Sequence, residues 1–112
     1  MKTLFVLSLL GTLFGKPAAE SETGPFTFVV NDIFKLSTGQ LVVSGQITSG
    51  EIRINEQLRI PIDSTEVTVA IEKMEIFGRT DNLDVGFKDD YVAFTISGVQ
   101  RGKLWPGMVF TK

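Results

Sequence analysis

The sequence contains no histidine and no cysteine among its 112 residues. These two absences exclude a His general base, a Cys nucleophile, a Ser-His-Asp triad, a Cys/His zinc site and a disulfide. Proline is scarce, with 4 residues, and the formal net charge is only −2. No strong field of the whole molecule therefore attracts nucleic acid.

The remaining composition is that of an ordinary globular protein, with 43% hydrophobic and 21% charged residues. The length fits one domain rather than two. Eleven glycines and nine phenylalanines, with few prolines, favour an all-β domain with many tight turns and an aromatic core.

Residues 1–24 differ from the rest of the chain. Lys2 precedes an apolar run over residues 3–15, and residues 16–24 resemble a polar linker. The run is too short to span a bilayer of ~30 Å as a helix. Three interpretations stay open: a short helix packed on the domain or a partner, a secretion signal with a poor cleavage site, and a peripheral membrane anchor through residues 1–15. A cytoplasmic location is favoured over the secreted and membrane-attached alternatives.

From Pro25 onward the hydrophobic period is two, which is typical of strands. Phe26, Phe28 and Val30 lie on one face, and Phe34 and Leu36 are expected to resume it after a bulge at residues 31–32. Further strands are predicted over residues 41–48, 52–54, 58–62, 67–71, 74–76, 92–96 and 108–111. The stretch 67–76 is either one bent strand or two.

Turns and loops separate these strands, at residues 37–40, 49–50, 63–64, 78–88 and 98–107. Many short strands with turns between them predict a small closed antiparallel β-barrel over residues 25–112, preceded by the apolar leader. Closing the sheet would remove exposed strand edges.

Four segments in this order are similar to domain II of the translation GTPases, and to elongation factor Tu most closely. They are Pro25-Phe26 with residues 30–34, the Gly-punctuated run 39–58, Met74-Glu75-Ile76-Phe77, and the closing stretch 98–110. Asn55 stands where the family usually has Gly. The resemblance implies a closed antiparallel β-barrel.

The GTPase motor of that family needs a P-loop, and no Gly-x-x-x-x-Gly-Lys-Ser/Thr occurs in these 112 residues. We therefore expect no nucleotide binding, no GTP hydrolysis and no cofactor, and we do not expect an enzyme. A metal site is not expected either, because Asp81, Asp84, Asp89 and Asp90 do not follow the EF-hand spacing.

The resemblance also implies a binding site. Asp32 and Phe34 match family positions near the pocket for the aminoacyl end of tRNA, Glu75 matches a Glu in the pocket wall, and Tyr91 falls where the family has Asn. A Phe face stacks on adenine, and a carboxylate accepts hydrogen bonds from ribose or base donors. From the residues alone, a core position is favoured for Phe34 and a bulge or turn cap for Asp32. For Glu75 a solvated strand residue is equally plausible.

A second candidate contact surface is basic and aromatic. Arg53 and Arg59 are expected on neighbouring strands of a hairpin; the other members are Arg79, Arg101, Lys103 and Trp105. Acidic residues lie beside them, so a solvated surface of mixed charge is favoured over an RNA-binding face. Trp105 is either an exposed anchor for a partner or a cover for the barrel end.

Together these features predict a non-catalytic binding module that docks on RNA, the ribosome or a protein partner. The alternative is an exported or membrane-associated small β-barrel with a structural or interaction role. Fold resemblance does not fix function, since one barrel fold carries many sites.

Overall fold

The computed structural model describes residues 24–112. The three interpretations of the apolar leader concern residues outside this range. Within it, no helix is long and apolar enough to cross a membrane.

All the long elements of the described chain are strands, which confirms the all-β prediction. Nine strands and one 3₁₀ turn follow each other: β1 Thr27–Lys35, β2 Leu41–Ser49, β3 Glu51–Arg53, β4 Gln57–Ile62, β5 Thr65–Ala70, β6 Lys73–Ile76, β7 Val85–Phe87, β8 Tyr91–Ile96, the 3₁₀ turn Arg101–Lys103, and β9 Val109–Phe110. Residues 67–76, for which one bent strand or two strands were expected, belong to two strands, β5 and β6. The expected loop 78–88 contains the short strand β7, so that prediction was wrong at its C-terminal end.

The strands pair only in antiparallel fashion. Five form one sheet in the order β6-β8-β2-β1-β9, while β3 pairs with β7 and β4 pairs with β5. Two backbone hydrogen bonds between Arg59 and Thr111, of 2.8 and 3.0 Å, connect β4 to the residue that follows β9. The five-stranded sheet positions the residues discussed below.

The core lies against one face of this sheet, as the period-two pattern predicts. Three phenylalanines, Phe28, Phe94 and Phe110, are fully buried at its centre. The Phe28 ring meets the Phe94 ring edge to face at 4.9 Å between centroids, and the Phe110 ring at 5.7 Å. Aliphatic side chains from the other strands surround this aromatic cluster.

The bulge predicted at residues 31–32 is present, because the register of β1 on β2 shifts between Val30 and Asp32. One extra residue reverses which side chains face the core. Ile33 is consequently buried, whereas Phe34 and Leu36 are exposed. The expectation that Phe34 and Leu36 resume the buried face was wrong for this reason.

Candidate functional site

The register of the five-stranded sheet brings all four residues of the family-inferred site to the face opposite the core. Glu75 on β6 lies beside Ala93 on β8, Ala93 beside Ser44 on β2, and Ser44 beside Asp32 on β1. This row crosses the sheet, with small side chains between two carboxylates. Three inter-strand steps of about 4.8 Å separate the ends of the row, so Glu75 and Asp32 lie about 14 Å apart at the backbone.

Aromatic residues flank the carboxylate row on both sides. Phe34 lies beside Val42, and Tyr91 lies beside Gln46, four positions further along β2. Phe34 is 57% exposed and Tyr91 is 50% exposed. The core position favoured for Phe34 was therefore wrong, since the bulge turns its ring to solvent. We call this surface the outer face; it comprises Asp32, Phe34, Val42, Ser44, Gln46, Lys73, Glu75, Tyr91, Ala93 and Thr95.

The floor of the outer face is unusually well covered for an exposed sheet surface. Ala93 is 6% exposed and Thr95 is 9% exposed, although both point away from the core. Longer side chains on the neighbouring strands enclose these two small residues. The result is a hollow of about 480 Å³, which we call the β6 hollow; its lining is Leu36, Gln40, Val42, Glu72, Lys73, Glu75, Ala93 and Thr95.

Of the residues that line the hollow, the sequence predicted only Glu75 as a site residue. The sequence contains part of the pattern that indicates the others. Strand alternation alone predicts that Ala93 and Thr95 point outward, between the buried Val92, Phe94 and Ile96. A depression follows only once β6 and β2 are known to flank β8. That pairing joins residues far apart in the chain.

The two carboxylates differ in their surroundings. The carboxylate of Asp32 makes no hydrogen bond to other residues within 24–112, and the residue sits directly after the bulge, as the favoured interpretation required. Glu75 lies 3.9 Å from Lys73 Nζ, and both side chains are well exposed. Such a long, solvated ion pair contributes little and leaves the Glu75 carboxylate available to a partner.

Each basic candidate contacts an acidic side chain or a carbonyl oxygen. Arg53 pairs with Glu51 at 3.4 Å, Arg59 with Glu66 at 3.9 Å, and Lys103 with Asp63 at 3.2 Å; Arg101 donates to the Ile33 carbonyl at 3.3 Å. Arg53 and Arg59 are not on paired strands, because β3 pairs with β7 and β4 with β5. The predicted hairpin between them was therefore wrong.

Arg79 organises the loop that follows β6. Its guanidinium donates to the Asn82 carbonyl at 2.9 Å, pairs with the Asp90 carboxylate, and lies over the Phe87 ring at 5.2 Å. Asp90 also accepts the Phe87 N–H at 2.7 Å. The Arg79 side chain is only 20% exposed, and both of its hydrogen bonds within residues 24–112 are made inside this loop.

Trp105 remains an exposed aromatic, at 56%, on the connection that leads into β9. Its backbone N–H contacts Met108 Sδ at 3.2 Å. Trp105 is not one of the residues that make up the outer face, so it provides an exposed aromatic for comparison.

One ionisable group near the C-terminus has a shifted pKa. Burial alone would raise the pKa of Glu56, but the hydrogen bonds from Lys112 Nζ and the Arg53 N–H, with the positive charges of these two side chains, outweigh it and hold that pKa below its usual 4.5. None of these three residues belongs to the outer face. Within residues 24–112, no group of three carboxylates gathers where it could hold a metal ion.

Among protein-family models, none matches the chain. Solved structures with the same fold include a bacterial selenocysteine-specific elongation factor, EF-Sec, at 17% identity and a TM-score of 0.69, covering 82% of this chain and 15% of that one. Another is the apo form of the translation elongation factor SelB from Methanococcus maripaludis, at 18% identity and a TM-score of 0.68, covering 82% of this chain and 20% of that one. This chain thus spans a fifth or less of these factors. Its fold is that of a translation-factor domain, as the resemblance to domain II predicted.

Proposed function

We propose that the protein is a non-catalytic binding module of translation-factor type, and that its partner docks on the outer face of the five-stranded sheet. The observation that carries the proposal is the convergence of Asp32, Phe34, Glu75 and Tyr91 on that single face. These residues come from three strands, β1, β6 and β8, and the family resemblance assigns all four to one site. Candidate partners are RNA, the ribosome and another protein.

The composition of the outer face supports docking rather than solvation alone. Two large aromatic rings, on Phe34 and Tyr91, are half or more exposed on a sheet whose other face packs against the apolar core. Exposed aromatics of this size are enriched at binding surfaces, since they bury much area on contact at a low cost in side-chain entropy. The carboxylates of Asp32 and Glu75 supply hydrogen-bond acceptors between the rings.

The chemistry of the chain supports a non-catalytic role. No histidine, cysteine or P-loop is available in the 112 residues. No recognisable motif in the sequence pairs two carboxylates for acid and base work. The outer face is thus suited to contact and not to proton transfer between two acids.

We also infer that residues 25–112 form one domain and that its strands close into a barrel. Pairing runs from β6 through β8, β2, β1 and β9, and the hydrogen bonds between Arg59 and Thr111 lead on to β4 and β5. Only Ile71 and Glu72 separate β5 from β6 along the chain. Following neighbouring strands in this order leads from β6 back to β6, which supports closure of the strands into a barrel.

Capture of the native partner tests the proposed function. The full chain is immobilised as wild type, as a Phe34→Ala/Tyr91→Ala double variant and as a Trp105→Ala variant, and bound RNA and protein are both identified from the source cells. We expect one species to be retained by wild type and Trp105→Ala and lost with the double variant. Trp105→Ala is the matched control, because it removes an equally exposed aromatic that is not one of the residues of the outer face. If binding of the partner were lost only with Trp105→Ala, the binding surface would lie outside the outer face, and this result would refute the proposal.

The proposal includes a cytoplasmic location, where translation factors act. The exported or membrane-associated alternative rests on residues 1–15, outside the described range. Mass spectrometry of the native protein tests the exported alternative, since an intact N-terminal start at Met1 is incompatible with signal cleavage. A mature chain that begins near residue 20 would contradict the cytoplasmic proposal.

A further inference from the structure

The β6 hollow contains a buried hydroxyl to which residues 24–112 offer no hydrogen-bond partner. Thr95 is the one polar residue among 24–112 that is nine-tenths buried, at 9% exposure, and it lines the hollow. Its Oγ1 makes no hydrogen bond to other residues in this range. Leaving a buried polar group unpaired is costly, so such groups are normally satisfied by protein, water or a ligand. Thr95 therefore marks the floor of the hollow as a place for a polar group.

The walls of the hollow are divided into an apolar and an acidic side. Leu36, Val42 and Ala93 supply the apolar surface. Glu72 and Glu75 supply two carboxylates, and Glu72 accepts a hydrogen bond from the Gln40 side-chain amide. A ligand group with an extended aliphatic stem and a polar end would fit these walls, with the stem on the apolar side and the polar end on the acidic side.

The net charge of the lining determines whether the polar end of a bound group should be positive or negative. Two carboxylates, Glu72 and Glu75, face one ammonium, Lys73, so the lining carries −1. Asp32 adds a further negative charge along the row on the outer face. Phosphate groups are disfavoured next to such a surface, whereas a guanidinium or ammonium is attracted and can donate to several oxygens at once.

Resting on the proposed function, we propose that the β6 hollow receives an arginine or lysine side chain of a protein partner. The aliphatic stem packs along Leu36, Val42 and Ala93, and the cationic head donates to the Glu72 and Glu75 carboxylates and to Thr95 Oγ1. The exposed Phe34 and Tyr91 rings then contact apolar residues that flank the basic side chain in the partner. A volume of about 480 Å³ is in the range of sites that enclose a group of this size.

Titration of the labelled full chain with small probes, followed by amide chemical shifts, tests the proposal. The probe is Nα-acetyl-arginine methylamide, and its control is the citrulline analogue, which keeps the shape and removes the charge. We expect saturable shifts at Ala93, Thr95 and Glu75 with the arginine probe, and at least about fivefold weaker binding of the citrulline probe. A short single-stranded oligoadenylate, the RNA probe, is expected to leave these amides unshifted.

Variants of the lining provide the second part of the test. Glu72→Gln/Glu75→Gln weakens the arginine probe about fivefold, whereas Glu66→Gln, an exposed carboxylate on β5, leaves it unchanged. Thr95→Val removes only the hydroxyl, so it weakens the probe while raising the Tm, because an unpaired buried group disappears. A purely structural Thr95 would show the opposite change in Tm.

The outcomes separate this inference from the proposed function. Equal binding of the arginine and citrulline probes, or oligoadenylate shifts at Thr95 with none from arginine, overturns the inference; so does the absence of shifts with every probe. The proposed function survives each of these results if capture of the native partner still depends on Phe34 and Tyr91. Loss of that dependence with an intact arginine response would refute the proposed function alone.

Discussion

Gly45 provides the sharpest test of the packing between β1 and β2. It lies in mid-strand, opposite Val30 on β1 and Val92 on β8. A Cβ atom at this position would lie 2.0 Å from the Val29 carbonyl oxygen and 2.9 Å from Phe28 Cζ. Ordinary carbon–oxygen contacts between strands are about 3.3–3.6 Å. Gly45→Ala therefore requires a backbone displacement of more than about 1 Å in the middle of the sheet.

Neither neighbour of Gly45 has room to move. Val29 is held between β2 and β9, where it pairs with Val109. The Phe28 ring is fully buried against Phe94. Overpacking a core costs about 1–3 kcal/mol when side chains can adjust, and here a backbone must also shift. We expect about 3–5 kcal/mol, a large part of the roughly 5–15 kcal/mol that stabilises a domain.

Urea and thermal unfolding of the full chain, followed by far-UV circular dichroism, measure this cost. At about 4–8 °C per kcal/mol, the Tm of Gly45→Ala should fall by about 12 °C or more. Gly102→Ala is the matched control, because nothing lies within 4 Å of its Cβ position. It should change the free energy of unfolding by less than about 1 kcal/mol. A Gly45→Ala protein within about 1 kcal/mol of wild type would refute the close approach of β1 and β2.

Three further predictions concern other parts of the molecule. Ile33→Ala should cost about 2–4 kcal/mol and Phe34→Ala less than about 0.5 kcal/mol in urea unfolding, because the bulge buries the first and exposes the second; equal costs would contradict the bulge. Arg79→Lys loses the forked donors and the contact with the aromatic ring, so it should cost about 1 kcal/mol or more and speed amide hydrogen exchange across residues 78–90; unchanged exchange would refute its role in the loop. The folded-state pKa of Glu56 is lowered, so its contribution to stability is present above pH 4.5 and is lost as the pH falls through the folded-state pKa. Glu56→Gln should therefore be less stable than wild type at pH 7 and equal to it at about pH 2 in urea unfolding; a constant difference across this range would contradict the ion pair with Lys112.

The sequence predicted the bulge in β1 but not its consequence. Asn31-Asp32 interrupts the alternation, which is a local signal. Which residues after the bulge face the core depends on how many residues of β2 pair with the bulged segment of β1. Val30 pairs with Gly45 and Asp32 with Ser44, so the core side passes to Ile33. Alternation within one strand carries no information about this count, and Phe34 was consequently assigned to the wrong side.

Pairing between distant segments explains the other errors. Arg53 and Arg59 are close in sequence, which suggested a hairpin, but β3 instead pairs with β7, beyond the Arg79 loop. The strand β7 has only three residues, which is too short for a period to be visible. Long, strongly alternating strands such as β2 and β8 were predicted well, since burial on one face dictates their pattern.

The family resemblance anticipated the outer face, but it did not anticipate the hollow on that face. The hollow depends on which side chains of β8 point away from the core. Val92, Phe94 and Ile96 of β8 fill the core, while Ala93 and Thr95 of the same strand form the floor of the hollow. Adjacent residues on one strand thus serve packing and binding separately, because their side chains point to opposite faces. A larger residue at position 93 or 95 would close the hollow without entering the core. The lining of the hollow can therefore change while the pattern that builds the core stays intact, so the proposed binding surface can vary without loss of the fold.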